Sequence, residues 1–149
     1  KETDNGGRRT QDSVLANDLY HELTEEGFKV FFSRITLEDK LGTAYEPYIF
    51  AALNSARVMV VIGTRPEYYN AVWVKNEWSR YLALIKGGAK KVLIPAYRDM
   101  DPYDLPEEFS HLQAQESNFC LCHRFHDTCD IGRGGVRSGV WFYFCVILL

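Results

Sequence analysis

The sequence has little of what marks several classes of protein. It shows no excess of positive charge, because 17 Lys and Arg stand against 20 Asp and Glu, for a net charge of -3. A nucleic-acid partner, which usually needs a basic face, is therefore not expected. The longest apolar run, residues 140–149, has ten residues. A membrane span needs roughly 18, so the sequence also predicts no membrane partner.

Cysteine is absent from the first 119 residues, and all four cysteines follow: Cys120, Cys122, Cys129 and Cys145. A cysteine-free body without a signal-peptide pattern fits a reducing compartment, so we expect a cytoplasmic protein. His123 and His126 lie among the first three cysteines, and both residue types can bind zinc. Their spacing matches no common zinc module, and we expect no metal site there.

What is present is an alternation of strand and helix patterns. Continuous apolar runs, which indicate buried strands, lie at residues 28–32, 57–63 and 90–96. Helical patterns lie between and before them, at residues 14–26, 48–56 and 73–85, and glycines follow the first and the last of these helices. This order predicts an α/β fold with a parallel sheet covered by helices on both faces.

One pair of residues lies where such a fold binds ligands. In open parallel sheets the ligand sits beyond the carboxyl ends of the strands, where the opening polar segment and residues 33–45 and 64–72 are predicted. Trp73 and Glu77 follow the last of these loops, four residues apart, a spacing that puts the indole beside the carboxylate on one helix face. The pair is either a half-buried core Trp with a solvated Glu, or a site.

Four segments carry a family resemblance: GFKVFFS, RITLEDKLGTAYEPYI, ARVMVVIGTRPEYYNAVWVKNEW and KKVLIPAYRDMDPYDLP. Together, and in this order, they resemble a bacterial Toll/interleukin-1 receptor-like (TIR) domain over residues 1–115. The most specific parts are the loop after the second strand and the Trp-x-x-x-Glu motif on the third helix. The resemblance implies a flavodoxin-like sheet of five parallel strands.

The resemblance also implies a function. Many TIR domains hydrolyse NAD+ between nicotinamide and ribose and use no further cofactor, whereas others only recruit further TIR domains. In the enzymes the Glu of the motif is catalytic, which here is Glu77, and Trp73 offers a flat wall to the substrate. We therefore expect an NAD+ glycohydrolase of bacterial immune or stress signalling. The alternative is a non-catalytic TIR module that acts by homotypic association, and a nucleoside-transferring enzyme is a weaker third.

Other residues at the same edge are candidates for binding the substrate. Phe32 and Ser33 end the second strand of the family pattern, and either line the pocket or serve as a core aromatic and a loop cap. Lys1 and Arg8 lie in the opening loop, where a cation could meet the substrate phosphates or remain solvated. Tyr68 and Tyr69 could stack on the adenine, but we favour a role in covering the edge of the sheet.

The sequence departs from the family pattern at both ends. It begins just after the position of the family's first strand, which in the order 2-1-3-4-5 is central. Residues 116–149 form a Cys- and aromatic-rich tail, unlike the TIR-like residues 1–115. Within the tail, residues 140–149 have high β-propensity and no charge. We predict a strand there, in the vacant central slot or at an edge; the alternative is a loosely packed end.

Overall fold

The computed structural model describes residues 11–36, 44–117 and 143–148, the last of these by their backbone alone. The helices are α1 (Gln11–Glu25), α2 (Ser33–Thr36), α3 (Glu46–Ser55), α4 (Pro66–Tyr69) and α5 (Val72–Lys86). The strands are β1 (Lys29–Phe32), β2 (Val58–Gly63), β3 (Val92–Tyr97), β4 (Gln115–Glu116) and β5 (Tyr143–Leu148). Two short 3-10 helices, Pro102–Asp104 and Glu107–Phe109, lie between β3 and β4.

The strands form one parallel sheet in the order β1-β5-β2-β3-β4. In the family order 2-1-3-4-5, the strand beside β1 and β2 would be the first of the chain. Here β5 holds that central position, although it comes from the far end of the sequence. The predicted flavodoxin-like arrangement is confirmed, with its first strand replaced by β5.

Backbone pairing places β5 firmly between its neighbours. Phe144 is in register with Val30 of β1 on one side and with Val58 of β2 on the other. The prediction of a strand in the vacant slot is confirmed, and the alternative of a loose end is wrong for residues 143–148. The sheet therefore takes its central strand from the segment that the sequence set apart as a tail. The division of the chain at residue 115 stays a prediction.

Helices cover both faces of the sheet. Consecutive residues of β2 point to opposite faces, and each set packs against helices. Val60 and Ile62 pack in the cluster that includes Leu19 of α1. Met59 and Val61 pack in the second cluster, which draws on α3, α4 and α5. Strand β2 is buried along its whole length, which explains its unbroken apolar run.

The predicted helix ends are confirmed where glycine permits a left-handed backbone. Gly27 follows α1 with φ +89°, and Gly88 follows α5 with φ +93°. Residues 33–45, predicted as a loop, begin with the one-turn helix α2, and the predicted turn before α5 contains α4. Within the described residues, none of the helices has the length and apolar character that crossing a membrane requires.

Candidate active site

Tyr69, the last residue of α4, joins the carboxyl ends of two central strands. Its hydroxyl donates to the carbonyl of Ala96 in β3 at 2.5 Å, and the carbonyl of Gly63 in β2 lies 3.2 Å from the same oxygen. The side chain is 0 % exposed. The prediction that this tyrosine pair covers the sheet edge is therefore confirmed for Tyr69.

The main chain of Tyr69 holds the next helix as well. The indole Nε1 of Trp78, in α5, donates to the Tyr69 carbonyl at 2.8 Å. Trp78 is 1 % exposed, and its ring meets Phe109 edge-on with a centroid distance of 4.8 Å. Because buried indole groups need a partner for their N–H, this bond both satisfies Trp78 and fixes α5 against the sheet edge.

The buried side chains of α5 recur at helical spacing: Val74, Trp78, Tyr81 and Leu82. Glu77 lies at the border of this stripe and is half-buried. Trp73 lies outside the stripe and is 71 % exposed, beside Val72 at 72 %. The alternative of a core Trp73 is therefore wrong, because Trp78 is the tryptophan that α5 buries. The roles of Trp73 and Glu77 in a site stay predictions.

Among the residues that the structure describes, Glu77 has no counter-charge. No hydrogen bond or ion pair joins its carboxylate to any residue in the described ranges. Arg80, one turn further along α5, instead places its guanidinium over the ring of Phe50, 4.0 Å from the ring centre. Burial raises the pKa of Glu77 to about 7. Burial therefore makes Glu77 retain its proton to a higher pH than an exposed glutamate does.

A second buried carboxyl lies at the start of α1. Asp12 is 0 % exposed; burial raises its pKa, and a hydrogen bond with Thr64, just after β2, opposes the rise. Burial, and then the nearby Asp12, raise the pKa of Tyr69 well above its usual range, so the tyrosine stays a neutral donor. Sequence analysis missed this cluster. Its only signal was an acid at the first helix start, which equally suits an N-cap.

The remaining predicted residues are more scattered. Ser33 is half-buried at the start of α2, directly after β1. Phe32 is 0 % exposed, with its ring 6.0 Å from that of Tyr20, so it occupies the core position that the sequence left open as an alternative. Lys1 and Arg8 lie outside the described residues. The substrate roles of these four residues stay predictions.

Across residues 11–36, 44–117 and 143–148, no group of three His, Cys, Asp or Glu side chains is placed to hold a metal ion. The cluster from Cys120 to Cys129 lies outside the described residues, as do residues 37–43 of the loop after β1.

The sequence was compared with known families, curated proteins and solved structures. A family model of the TIR domain matches residues 8–121, which is most of the chain. The chain therefore belongs to the TIR domain family, whose members are signalling domains and commonly associate with one another. The matched region contains Trp73 and Glu77 and ends before β5. Neither curated proteins nor solved structures give a significant match.

Proposed function

We propose that the protein is an NAD+ glycohydrolase that releases nicotinamide from NAD+ in bacterial immune or stress signalling, and that it works in the cytoplasm. Glu77 is the catalytic carboxylate, and NAD+ is the substrate, with no further cofactor. The observation that carries the proposal is the state of Glu77, which is half-buried and unpaired among the described residues, with its pKa raised to about 7.

An unpaired, partly desolvated carboxylate lowers the stability of the folded state. Such groups are common in active sites, where their shifted pKa serves the reaction. In a surface helix, a glutamate normally extends into water or pairs with a cation one turn away. Glu77 does neither, since Arg80 is engaged with Phe50. The carboxylate is thus available to a positive charge that a ligand brings to the site.

The reaction supplies such a charge. As the bond from ribose C1′ to the pyridinium nitrogen breaks, its electron pair passes to that nitrogen, and nicotinamide leaves as a neutral molecule. The ribose becomes oxocarbenium-like, and an anionic Glu77 stabilises it. Water then adds to C1′ through its oxygen and releases its extra proton to the solvent, which leaves the ribose with a C1′ hydroxyl. No general acid is needed for the leaving group, so one carboxylate is sufficient.

Trp73 lies one helical turn before Glu77 and exposes most of its indole. An exposed indole presents a flat π-face, to which the cationic pyridinium ring is attracted. We assign Trp73 to substrate binding on this basis. A ring that is not packed into the core is free to contact a ligand without first unfolding anything.

The alternative is a TIR module that acts only by homotypic association. It is favoured by the exposed apolar pair Val72 and Trp73, 72 % and 71 % exposed at the start of α5. Such side chains are well suited to contact with a second TIR domain. Both functions use the same surface, so activity must decide between them.

The deciding experiment incubates the whole purified chain at high concentration with NAD+ and measures free nicotinamide by chromatography. We expect release by the parent protein and a loss of at least about 100-fold in Glu77→Gln. Glu67→Gln is the matched control, because Glu67 is an exposed acid on neighbouring α4 that forms a long ion pair with Arg65, at 3.8 Å. Activity of a few per cent or more in Glu77→Gln contradicts the assignment. No release by the parent, together with self-association, favours the alternative.

A further inference from the structure

The proposed reaction leaves unexplained how Glu77 is held in place. Among the described residues no polar contact holds the carboxylate, so its position depends on the orientation of α5. Whatever fixes that helix in its first two turns also fixes the catalytic group.

The start of α5 is packed against the core by Val74, but the polar contacts seen there among the described residues are weak. Its N-cap, Ala71, provides no side-chain hydrogen bond to the first turn. Val72 and Trp73 are largely exposed, so they contribute little packing. The ion pair from Lys75 to Glu108 is long, at 3.8 Å, and half-exposed, and such pairs contribute little to stability.

The side-chain hydrogen bond that joins this part of α5 to the sheet edge runs through Tyr69. One end of that residue is fixed to the sheet by the hydroxyl bond to the Ala96 carbonyl. The other end, its main-chain carbonyl, receives the indole N–H of Trp78. Trp78 follows Glu77 in the chain, so the link from sheet to helix reaches α5 one residue after Glu77.

We propose that Tyr69 is a positioning residue for Glu77, holding the rotation of α5 through Ala96 on one side and Trp78 on the other. The proposal rests on the proposed function for its kinetic consequence, but its structural part stands independently. Successive residues of a helix are separated by about 100° of rotation. Because Glu77 lies at the border of the buried stripe, even a small rotation of α5 changes the solvation of its carboxylate and the direction in which the carboxylate points.

The test removes the hydroxyl of Tyr69 alone, in the whole chain, with Tyr69→Phe. Tyr68→Phe is the matched control, since it makes the same change one residue earlier, where no bond from the hydroxyl to a described residue is seen. Two properties are measured: the pKa of Glu77, by NMR of its labelled side-chain carboxyl, and the kinetics of nicotinamide release. The first needs no activity, so it decides the structural part even if the proposed function fails.

In Tyr69→Phe we expect the pKa of Glu77 to fall toward its ordinary value, because a loosened helix exposes the carboxylate. We expect kcat to fall about ten-fold or more, with KM changed less than about two-fold, because positioning acts on the transition state more than on binding. Tyr68→Phe should match the parent in both measurements. An unchanged Glu77 pKa in a folded Tyr69→Phe overturns the proposal.

If Tyr69→Phe does not fold, Trp78→Phe tests the other end of the same link. It keeps an aromatic ring against Phe109 but loses the N–H that bonds to Tyr69. A folded Trp78→Phe in which Glu77 titrates as in the parent also overturns the proposal. A parent without NADase activity, together with a fall of the Glu77 pKa in Tyr69→Phe, supports the positioning role and rejects the proposed function.

Discussion

Glu77 and Trp78 are consecutive residues of α5, and the helix places them in opposite circumstances. The indole of Trp78 is buried, and its N–H is bonded to the Tyr69 carbonyl. The carboxylate of Glu77 is half-buried and has no bonding partner among the described residues. The N–H of Trp78 has its hydrogen-bond partner, and this bond anchors the helix. Glu77 keeps its carboxylate available to a ligand. This contrast leads to predictions for stability as well as for activity.

Glu77 should make folding stability depend on pH. Burial raises its pKa from 4.5 to about 7, so the folded state binds more protons than the unfolded state between these values. Its contribution to stability is full below pH 4.5 and is lost as the pH rises through 7. The difference corresponds to at most about 3 kcal/mol. Glu77→Gln should therefore gain stability over the parent at pH 8 and less at pH 5, as measured by urea unfolding.

The pH dependence of nicotinamide release should follow the same carboxyl group. In the proposed reaction the anion of Glu77 is the active form, so kcat/KM should rise with pH and level off above about 7. Steady-state assays between pH 5 and 9 measure this profile. A profile that is flat across this range contradicts an essential Glu77 with the pKa that burial gives it.

Trp73→Ala and Trp78→Ala should differ in how much stability they remove. Trp73 is 71 % exposed, so its loss should change the free energy of unfolding by less than about 1 kcal/mol while lowering activity in part. Trp78 is 1 % exposed and packed on Phe109, so its loss should cost about 3–5 kcal/mol. Denaturant unfolding of the two variants makes the comparison. Similar stability losses in the two variants would contradict the burial of Trp78 and the exposure of Trp73.

Activity should depend on assembly. TIR domains commonly associate with one another, and the proposed site shares its surface with the exposed pair Val72 and Trp73. We expect activity per molecule to rise with protein concentration across a dilution series. Gly42→Pro, in the loop after β1 and outside the described residues, should suppress that rise by restricting the loop. Constant specific activity at all dilutions would indicate a preformed monomeric site.

The sheet should depend on β5. Removing residues 140–149 leaves the facing backbone groups of β1 and β2 without their ladder partners, and such buried groups are costly. We expect loss of cooperative unfolding, with aggregation. Deletion of Leu149 alone, which lies beyond β5, is the control and should behave as the parent does. A truncated chain that remains folded and monomeric would mean that the central pairing is dispensable.

Much of this architecture could be predicted because strands and helices leave different periodic patterns. The unbroken apolar run of β2 and the glycines after α1 and α5 gave reliable boundaries to within a few residues. The slot for β5 followed from the family strand order together with the composition of residues 140–149. These features depend on local sequence and on the number of strands that a sheet needs.

The site could be predicted only in part. The motif and its spacing selected Trp73 and Glu77, but spacing alone did not tell which tryptophan of α5 is buried. That choice depends on Tyr69 and Phe109, which come from other elements and give Trp78 its partners. The buried Asp12 was missed for the same reason, since its neighbour Thr64 follows a different strand.

The position of β5 also determines when the domain can be completed during synthesis. The backbone of Lys29 in β1 cannot pair with β5 until Tyr143, its partner in register, has left the ribosome. Until then β1 and β2 each present an open edge, and long-range parallel pairing is slow and prone to aggregation. Between the synthesis of β1 and that of β5, the nascent chain is therefore expected to need protection by chaperones.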